Sequence, residues 1–269
     1  MAERATLLRV EHLRKVYESS TGQVEAIGDV SFTMDAGEMV CIVGPSGCGK
    51  TTLLKCIAGL LSPTSGLIEI DGRPVTGPTP SMALVFQEYG RSLYPWLTVR
   101  GNVELPLRHK KLTGRQRDRL VTEALEAVSL SDAAKSYPWQ LSGGMQQRVA
   151  IARAVAYEPE MLIMDEPFAA VDAQTRADLE DLVRDLHRTR AVSILFVTHD
   201  IDESIYLGER VLVLSTSPTW VRERVEVDLP DDRDQITTRA LPRFIELRTH
   251  VYGQIQRAKL RPDITASRM

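Results

Sequence analysis

Two patterns of apolar residues predict two kinds of strand along the chain. Near the start, apolar and polar residues alternate in VSFTM (30–34) and LIEI (67–70), which predicts short antiparallel strands. Three later runs are continuously apolar: residues 39–43, 161–164 and 194–197. Such runs are typical of strands buried on both faces of a parallel sheet. The pattern therefore predicts an α/β protein with a parallel core sheet and an N-terminal antiparallel β subdomain.

Two other segments have a helical pattern. Between Gln87 and Pro138 the sequence is polar and helix-forming, and residues 114–128 carry apolar side chains at helical spacing. We interpret residues 88–158 as a helical subdomain inserted into a core domain of residues 7–220. In the extension that follows, 221–269, apolar residues recur at helical spacing: Phe244, Leu247, Val251 and Ile255. This predicts a helix packed back on the core, ahead of a disordered end, and we assign the extension no chemistry.

Composition excludes several classes of protein. Hydrophobic residues make up 43% and charged residues 26%, as in ordinary globular domains. The net charge of -3 provides no global positive field, so nucleic acid is not expected as a partner. Apolar runs fall well short of the about 20 residues that a membrane-spanning helix needs, and residues 1–15 lack the features of a secretory signal. We therefore expect the chain to stay in the cytoplasm.

The strongest local motif is GPSGCGKT (44–51), which follows an apolar strand and precedes a helical pattern. In this P-loop pattern, glycines let backbone N–H groups converge on phosphate oxygens. Lys50 is expected to contact the β- and γ-phosphates, and the Thr51 hydroxyl to bind Mg²⁺. The residues predicted to contact ATP here are Gly44, Pro45, Ser46, Gly47, Cys48, Gly49, Lys50, Thr51 and Thr52. The alternative, a plain glycine-rich turn, does not explain the strand and helix on either side.

Two other apolar runs end in residues that suit hydrolysis. The run 161–164 leads into Asp165 and Glu166, two carboxylates that are costly to bury without a cation. Asp165 is predicted to hold Mg²⁺ and Glu166 to polarise the attacking water, although a solvated helix cap also explains the pair. The run 194–197 leads to His199, which can hydrogen-bond a γ-phosphate, whereas a lone histidine is more often structural.

The segment LSGGMQQ (141–147) resembles the signature motif of ATP-binding-cassette (ABC) ATPases. The resemblance covers roughly residues 7–215 and includes Val171-Asp172 as the D-loop. It implies that Ser142, Gly143, Gly144 and Gln146 form a second nucleotide-contacting segment, at a helix N-terminus. It also implies roles for residues outside the two glycine-rich motifs: Tyr17 stacks on adenine, Gln87 binds Mg²⁺ and the attacking water, and His199 acts as the switch histidine. Alternatively, Tyr17 is an ordinary aromatic residue at the edge of a strand.

The resemblance further implies an assembly. Family members sandwich two ATP molecules between two head-to-tail subunits, so that Lys50 of one chain and Ser142 of the other serve one nucleotide. The second subunit is another copy or a sister ATPase. Two permease subunits in the membrane, and an extracytoplasmic solute-binding protein, complete such a complex, which places the chain at the cytoplasmic face of the membrane.

One segment indicates a branch of the family. YPWLTV (94–99) resembles importers of nitrate, sulfonates, taurine and related small anions, and the tail at 225–230 and 244–255 is similar to theirs. We expect this segment to contact a permease, or alternatively Trp96 to fill a subdomain core. The sequence departs from the pattern at 168–172 (FAAVD) and at Trp139, and neither departure removes a catalytic group.

Three other functions are considered. A non-transport ABC ATPase of DNA repair or translation would carry long coiled coils or a second cassette, which this sequence does not show. A P-loop kinase of small molecules would lack the 141–147 segment. A catalytically dead subunit conflicts with the intact set Lys50, Asp165, Glu166 and His199.

The three cysteines carry one further expectation. They form an odd set without metal-ligand pairing, which suits a reducing compartment. Cys48 lies inside the P-loop, so its alkylation is expected to block the phosphate position and to be prevented by MgATP. Cys41 and Cys56 are expected to be shielded by burial.

Overall fold

A computed structural model describes residues 4–19, 22–87 and 92–260. The chain divides into two compact units: a first unit of Met1–Thr79 with Leu195–Met269, and a second unit of Pro80–Ile194. The predicted start of the helical insertion at 88–91 and the predicted disordered end at 261–269 lie outside the described residues. Within the described part of the chain, no helix has both the length and the apolar character required to span a bilayer.

Strands and helices are numbered in chain order. The strands are β1 (Thr6–Ser19), β2 (Gly22–Asp35), β3 (Met39–Val43), β4 (Ser65–Ile70), β5 (Arg73–Pro74), β6 (Met82–Val85), β7 (Met161–Asp165), β8 (Ser193–Val197), β9 (Arg210–Leu214) and β10 (Thr219–Glu226). The α-helices are α1 (Lys50–Ile57), α2 (Val99–Glu104), α3 (Gly114–Ala127), α4 (Gly143–Ala156), α5 (Ala173–Arg190), α6 (Ile201–Leu207) and α7 (Pro242–Leu260). Short 3₁₀ helices cover Leu105–His109 and Pro138–Gln140.

The sheet of the first unit combines the two predicted kinds of strand. Its order is β5-β4-β1-β2-β10-β9-β3-β8, and the chain crosses from the second unit into the first within β8. β1 pairs antiparallel with β2 and β4, whereas β3 pairs parallel with β9. All five residues of β3 are buried, as expected for a strand covered on both faces. The predicted antiparallel start and parallel core are confirmed.

The C-terminal extension belongs to the first unit. Helix α7 buries Phe244, Leu247 and Val251, which confirms the helix predicted from their spacing. Each such side chain contributes roughly 1.5–3 kcal/mol when fully buried. Strand β10 pairs with both β2 and β9, and the predicted domain boundary between residues 220 and 221 falls inside it.

The second unit holds a parallel strand pair and most of the helices. β6 pairs with β7 in register, with Val85 opposite Met164. Helix α3 begins after Thr113, whose hydroxyl accepts from the backbone N–H of Gln116 while the Gln116 side chain accepts from the backbone N–H of Thr113. This capping box explains why the helix predicted at 114–128 starts at Gly114.

Candidate nucleotide-binding and hydrolytic site

The P-loop joins β3 to α1 in the first unit, and its glycines are required by geometry. Gly47 and Gly49 have φ of 75° and 105°, which side chains of L-residues rarely tolerate. A Cβ on Gly49 would also lie 3.0 Å from Oγ1 of Thr219 and 3.1 Å from the Ala26 carbonyl oxygen. The loop therefore turns sharply just before the N-terminus of α1, an end of a helix whose dipole favours phosphate.

Lys50 is the first residue of α1 and its side chain folds back over the loop. Its Nζ donates to the carbonyl oxygens of Gly44 at 3.1 Å and Pro45 at 3.3 Å, and the residue is only 7% exposed. The Lys50 ammonium is thus buried against the loop by two carbonyl oxygens, so a cation already stands next to the loop before a phosphate binds. Thr51, which follows it, is exposed.

Tyr17 stands beside the same helix. Its hydroxyl lies 3.3 Å from Oγ1 of Thr52, Nζ of Lys15 lies 5.3 Å from its ring centroid, and the residue is 40% exposed. An aromatic face open to solvent next to a P-loop is available for stacking on a purine. The structure thus places Tyr17 beside Thr52, two residues that the sequence analysis assigns to the nucleotide site.

Cys48 departs from its expected environment. Cys41 and Cys56 are buried as predicted, and burial raises the pKa of the Cys56 thiol. Cys48 is equally buried, at 2% exposed, and its Sγ lies 3.0 Å from the position that a Cβ on Gly44 would occupy. The thiol therefore packs against the protein and does not face solvent. Selective alkylation of Cys48 was the wrong expectation, because a reagent needs an exposed thiolate.

His199 lies in the first unit between β8 and α6, and its side chain is exposed. The residues on either side of it are held in place. The Thr198 N–H donates to the Ile42 carbonyl oxygen of β3 at 3.1 Å, and the Asp200 carboxylate caps α6 by accepting from the N–H groups of Asp202 and Glu203. An exposed imidazole between two anchored residues is suited to contact a phosphate.

The second unit carries the predicted hydrolytic carboxylates. Asp165 ends β7 and is 8% exposed, and Glu166 follows it, half-buried. Glu166 has φ of 44°, in the left-handed region that costs a residue with a side chain roughly 1–2 kcal/mol. Backbone strain of this kind clusters at functional sites. No feature of the sequence predicted this backbone conformation.

The signature segment forms the N-terminus of α4 in the second unit. Ser142 is the cap, and its Oγ accepts from the Met145 N–H at 3.3 Å. The Gln146 amide donates to the carbonyl oxygens of Pro138 at 3.0 Å and Leu141 at 3.3 Å. The side chain of Gln146, for which a nucleotide contact is predicted, thus orders the turn ahead of the helix. Gln87, which is also predicted to contribute to the site from this unit, is exposed.

Helices α4 and α5 approach each other closely at the signature. The Asp172 carboxylate caps α5 by accepting from the N–H of Thr175 at 3.0 Å and from its hydroxyl at 2.7 Å. The backbone hydrogen bond from Thr175 lowers the pKa of Asp172, so this D-loop carboxylate stays ionised at neutral pH. The same Thr175 packs against Gly144, which connects the D-loop to the signature.

This contact predicts the effect of enlarging Gly144. A Cβ at position 144 would lie 2.3 Å from Cγ2 of Thr175, so Gly144→Ala is expected to cost about 1–3 kcal/mol of unfolding free energy, measured by chemical denaturation. In the matched double variant Gly144→Ala/Thr175→Ser the clashing methyl group is absent, and stability should return. Equal losses in both variants would contradict the steric explanation.

Comparison with known proteins agrees with these motifs. Residues 27–169 match the family model described as "ABC transporter". A nitrate import ATP-binding protein, NrtD of Synechocystis, is 43% identical over 84% of this chain and 85% of its own length. An aliphatic sulfonates import ATP-binding protein, SsuB of Bacillus licheniformis, is 41% identical over 90% of this chain and 91% of its own length. Both are named for the import of small anions.

A solved structure shares the fold. The ATP-binding cassette MJ0796, described as a dimer in a post-hydrolysis state bound to ADP and Pi, aligns with a TM-score of 0.72 and 32% identity. The alignment covers 82% of this chain and 99% of that chain.

Proposed function

Because this chain belongs to the ABC transporter family and is an ATPase subunit, we propose that it drives an importer of a small anion such as nitrate, a sulfonate or taurine. ATP binding and hydrolysis would be coupled to two permease subunits at the cytoplasmic face of the membrane, supplied by an extracytoplasmic solute-binding protein. The observation that carries the proposal is the P-loop with Lys50 held over it by two carbonyls, in a chain that also carries the signature at the N-terminus of α4.

In this proposal the first unit binds the nucleotide. The backbone N–H groups of the loop from Gly44 to Thr52 surround the phosphates, Lys50 contacts the β- and γ-phosphates, and Tyr17 stacks on adenine. The exposed Tyr17 ring and the positive φ of Gly47 and Gly49, which glycine adopts without strain, support these assignments.

Mg²⁺ is proposed to bind with the nucleotide. The proposed ligands are the hydroxyl of Thr51, the amide of Gln87 and the carboxylate of Asp165, all oxygen donors of the kind that Mg²⁺ prefers. The described residues hold no cluster of three His, Cys, Asp or Glu side chains, which fits an ion that takes its other ligands from phosphate and water. When bound, the ion neutralises charge that develops on the phosphates.

Hydrolysis is assigned to three side chains. Glu166 polarises the attacking water, Gln87 orients it, and His199 hydrogen-bonds the γ-phosphate. The position of Glu166 directly after β7, next to Asp165, supports its role.

We propose that two ATPase subunits act together, either two copies or this chain with a sister. Ser142, Gly143, Gly144 and Gln146 of one subunit would contact the nucleotide held by the P-loop of the other. The dimeric MJ0796 cassette supports this arrangement, and the cap that Ser142 forms on α4 gives an N-terminus with the dipole needed to attract phosphate.

Transport activity tests the proposal. Purified chain, reconstituted with its permease and binding protein in liposomes, should hydrolyse ATP faster when the binding protein is loaded with nitrate, a sulfonate or taurine. Uptake of that radiolabelled anion should require ATP on the side of the membrane where this subunit is bound. Stimulation by none of these anions, with basal hydrolysis intact, would reject the solute class, and absence of basal hydrolysis would reject the ATPase assignment.

The segment 94–99 is proposed to contact the permease. Trp96 is 70% exposed and meets Tyr94 edge-on, with ring centroids 5.2 Å apart. The alternative that Trp96 fills a subdomain core does not fit this exposure. An exposed aromatic pair is typical of a protein contact surface.

Replacing Trp96 by alanine should separate coupling from folding. The isolated subunit should keep its unfolding free energy within about 0.5 kcal/mol, because the side chain is exposed. Basal hydrolysis should also stay, whereas assembly with the permease and substrate-stimulated hydrolysis should fall. Tyr252→Ala, which removes an exposed aromatic from α7, is the matched control and should leave assembly intact. Normal assembly of the Trp96 variant would reject the contact.

A further inference from the structure

Helix α6, which follows His199, is held at its C-terminal end by a side chain from the C-terminal extension. One terminal nitrogen of Arg233 donates to the carbonyl oxygens of Ile205 at 3.0 Å, Tyr206 at 2.7 Å and Gly208 at 3.0 Å. The last carbonyls of a helix have no partners within it, and a cation there is also favoured by the helix dipole. Arg233 therefore caps α6 from a segment that lies more than 25 residues away in sequence.

The cap is reciprocal. The Tyr206 hydroxyl donates to the Arg233 carbonyl oxygen at 3.3 Å, and Nε of Arg233 donates to the Pro230 carbonyl oxygen at 2.9 Å. The Tyr206 side chain is fully buried, and the Arg239 guanidinium lies 5.1 Å from its ring centroid. These contacts attach the loop after β10 to α6.

Helix α7 holds the other end of α6. Arg248 forms an ion pair with Asp202 at 3.6 Å, in the first turn of α6. An open pocket of about 490 Å³ beside this ion pair is lined by residues from both sides of the contact: His199, Asp200, Ile201, Asp202, Arg248, Thr249 and Tyr252. The extension consequently contacts α6 at both ends and borders the histidine itself.

A buried hydrogen-bond chain connects α6 to the residues around His199. Glu203 in the first turn of α6 is 4% exposed and accepts from the Thr198 hydroxyl. The same hydroxyl oxygen accepts from the Asp200 N–H at 2.9 Å. The residues before and after His199 are therefore both tied to α6, so a shift of α6 shifts the histidine.

We propose that Arg233 is a positioning residue for His199, through which the C-terminal extension sets the rate of ATP hydrolysis. The inference rests on the proposed role of His199. Arg233 fixes the end of α6, α6 fixes Thr198 and Asp200 through Glu203, and these two residues fix the backbone that carries the imidazole. The extension thereby has a function in hydrolysis beyond covering the core.

Arg233→Ala in the full-length chain tests the proposal. The variant should lose about ten- to hundredfold in kcat for ATP hydrolysis, the size expected when a catalytic group is displaced by a fraction of an ångström to an ångström. The KM for ATP and the Kd for a fluorescent ATP analogue should stay within about twofold, because the P-loop is untouched. Arg233→Lys, which keeps a cation near the same carbonyls, should recover most of kcat.

Arg243→Ala is the matched control. Arg243 lies in the same extension and pairs with Asp228 at 2.7 Å and Glu246 at 3.1 Å, without a described bond to α6. Its loss should leave kcat unchanged. If the Arg243 and Arg233 variants lose kcat equally, Arg233 only stabilises the extension in general, and the proposal is overturned.

A double-variant cycle with His199→Ala shows whether Arg233 acts through the histidine. In the His199→Ala background, Arg233→Ala should lower kcat no further, whereas independent effects would multiply and overturn the inference. If His199→Ala alone hydrolyses ATP at the parental rate, the proposed role of His199 fails. If His199→Ala is slow but Arg233→Ala is not, only the positioning role fails.

A gentler variant covers the possibility that Arg233→Ala does not fold, as judged by circular dichroism. Tyr206→Phe removes only the hydroxyl that donates to the Arg233 carbonyl. It should keep the melting temperature within a few degrees and lower kcat severalfold, again only when His199 is present. A Tyr206→Phe protein with parental kcat would then count against the proposal.

Discussion

Replacing Glu166 by glutamine is expected to lower kcat for ATP hydrolysis by about 10²–10⁴-fold, the usual contribution of a general base. Glutamine keeps the shape of the side chain but has no negative charge with which to polarise water. Affinity for ATP should stay near the parental value, because the phosphate-binding groups lie in the P-loop. The variant should therefore accumulate as an ATP-bound dimer, which size-exclusion chromatography with MgATP and steady-state kinetics would detect.

Glu158→Gln provides the control for this experiment. Glu158 is an exposed glutamate in the same unit and also has a positive φ, 50°. Its replacement should leave both kcat and dimerisation unchanged. Hydrolysis at the parental rate by the Glu166 variant would contradict the role assigned to Glu166. Equal losses of kcat in both variants would indicate a general effect of removing a negative charge.

The backbone of Glu166 illustrates what the sequence could not predict. Continuous apolar character at 161–164 predicted a buried strand, and β7 covers Met161–Asp165 with every residue buried. The same pattern placed two carboxylates directly after the strand. It carried no information on the φ of 44°, because left-handed conformations are recognised in a sequence mainly by glycine or asparagine. The backbone strain at Glu166 therefore became visible only in three dimensions.

Cys48 shows a second limit of prediction from the sequence. The P-loop motif predicted the backbone course correctly, including the turns at Gly47 and Gly49. Whether a side chain within the loop points toward phosphate or into the protein depends on packing from other segments. Gly44 leaves room for the sulfur of Cys48, and the thiol is buried as a small apolar group. A motif thus predicts which atoms of the main chain bind, but not the exposure of each side chain.

The contacts of Arg233 show a third limit, which concerns distance along the chain. Helix α7 was predictable because its buried residues recur at helical spacing. The loop between β10 and α7 has no such period, so nothing in the sequence linked Arg233 to the carbonyls of Ile205 and Tyr206. Long-range caps of this kind follow from the fold, whereas the sequence pattern indicated only a packing role for the extension.

Replacing Lys50 by alanine should weaken nucleotide binding itself, in contrast to the Glu166 variant. Nζ of Lys50 stands 3.1 Å from the Gly44 carbonyl oxygen, at the head of the loop that receives the phosphates. Hydrogen bonds to a charged group contribute about 1.5–3 kcal/mol, so the Kd for ATP should rise roughly ten- to hundredfold, measured with a fluorescent analogue. The rate of hydrolysis should fall together with affinity, because the same ammonium stabilises charge on the γ-phosphate.

Lys55→Ala is the matched control for Lys50→Ala, since Lys55 is an exposed lysine in the last turn of the same helix. Its removal changes the net charge equally but leaves the loop intact, so affinity and rate should both stay at parental values. If the analogue binds the Lys50 variant as tightly as the parent, the phosphate contact assigned to Lys50 is wrong. If both lysine variants bind the analogue weakly, the loss of affinity comes from the removal of a positive charge rather than from the loss of a contact. Of the two lysines, Lys50 is the one whose Nζ lies within hydrogen-bonding distance of the loop carbonyls.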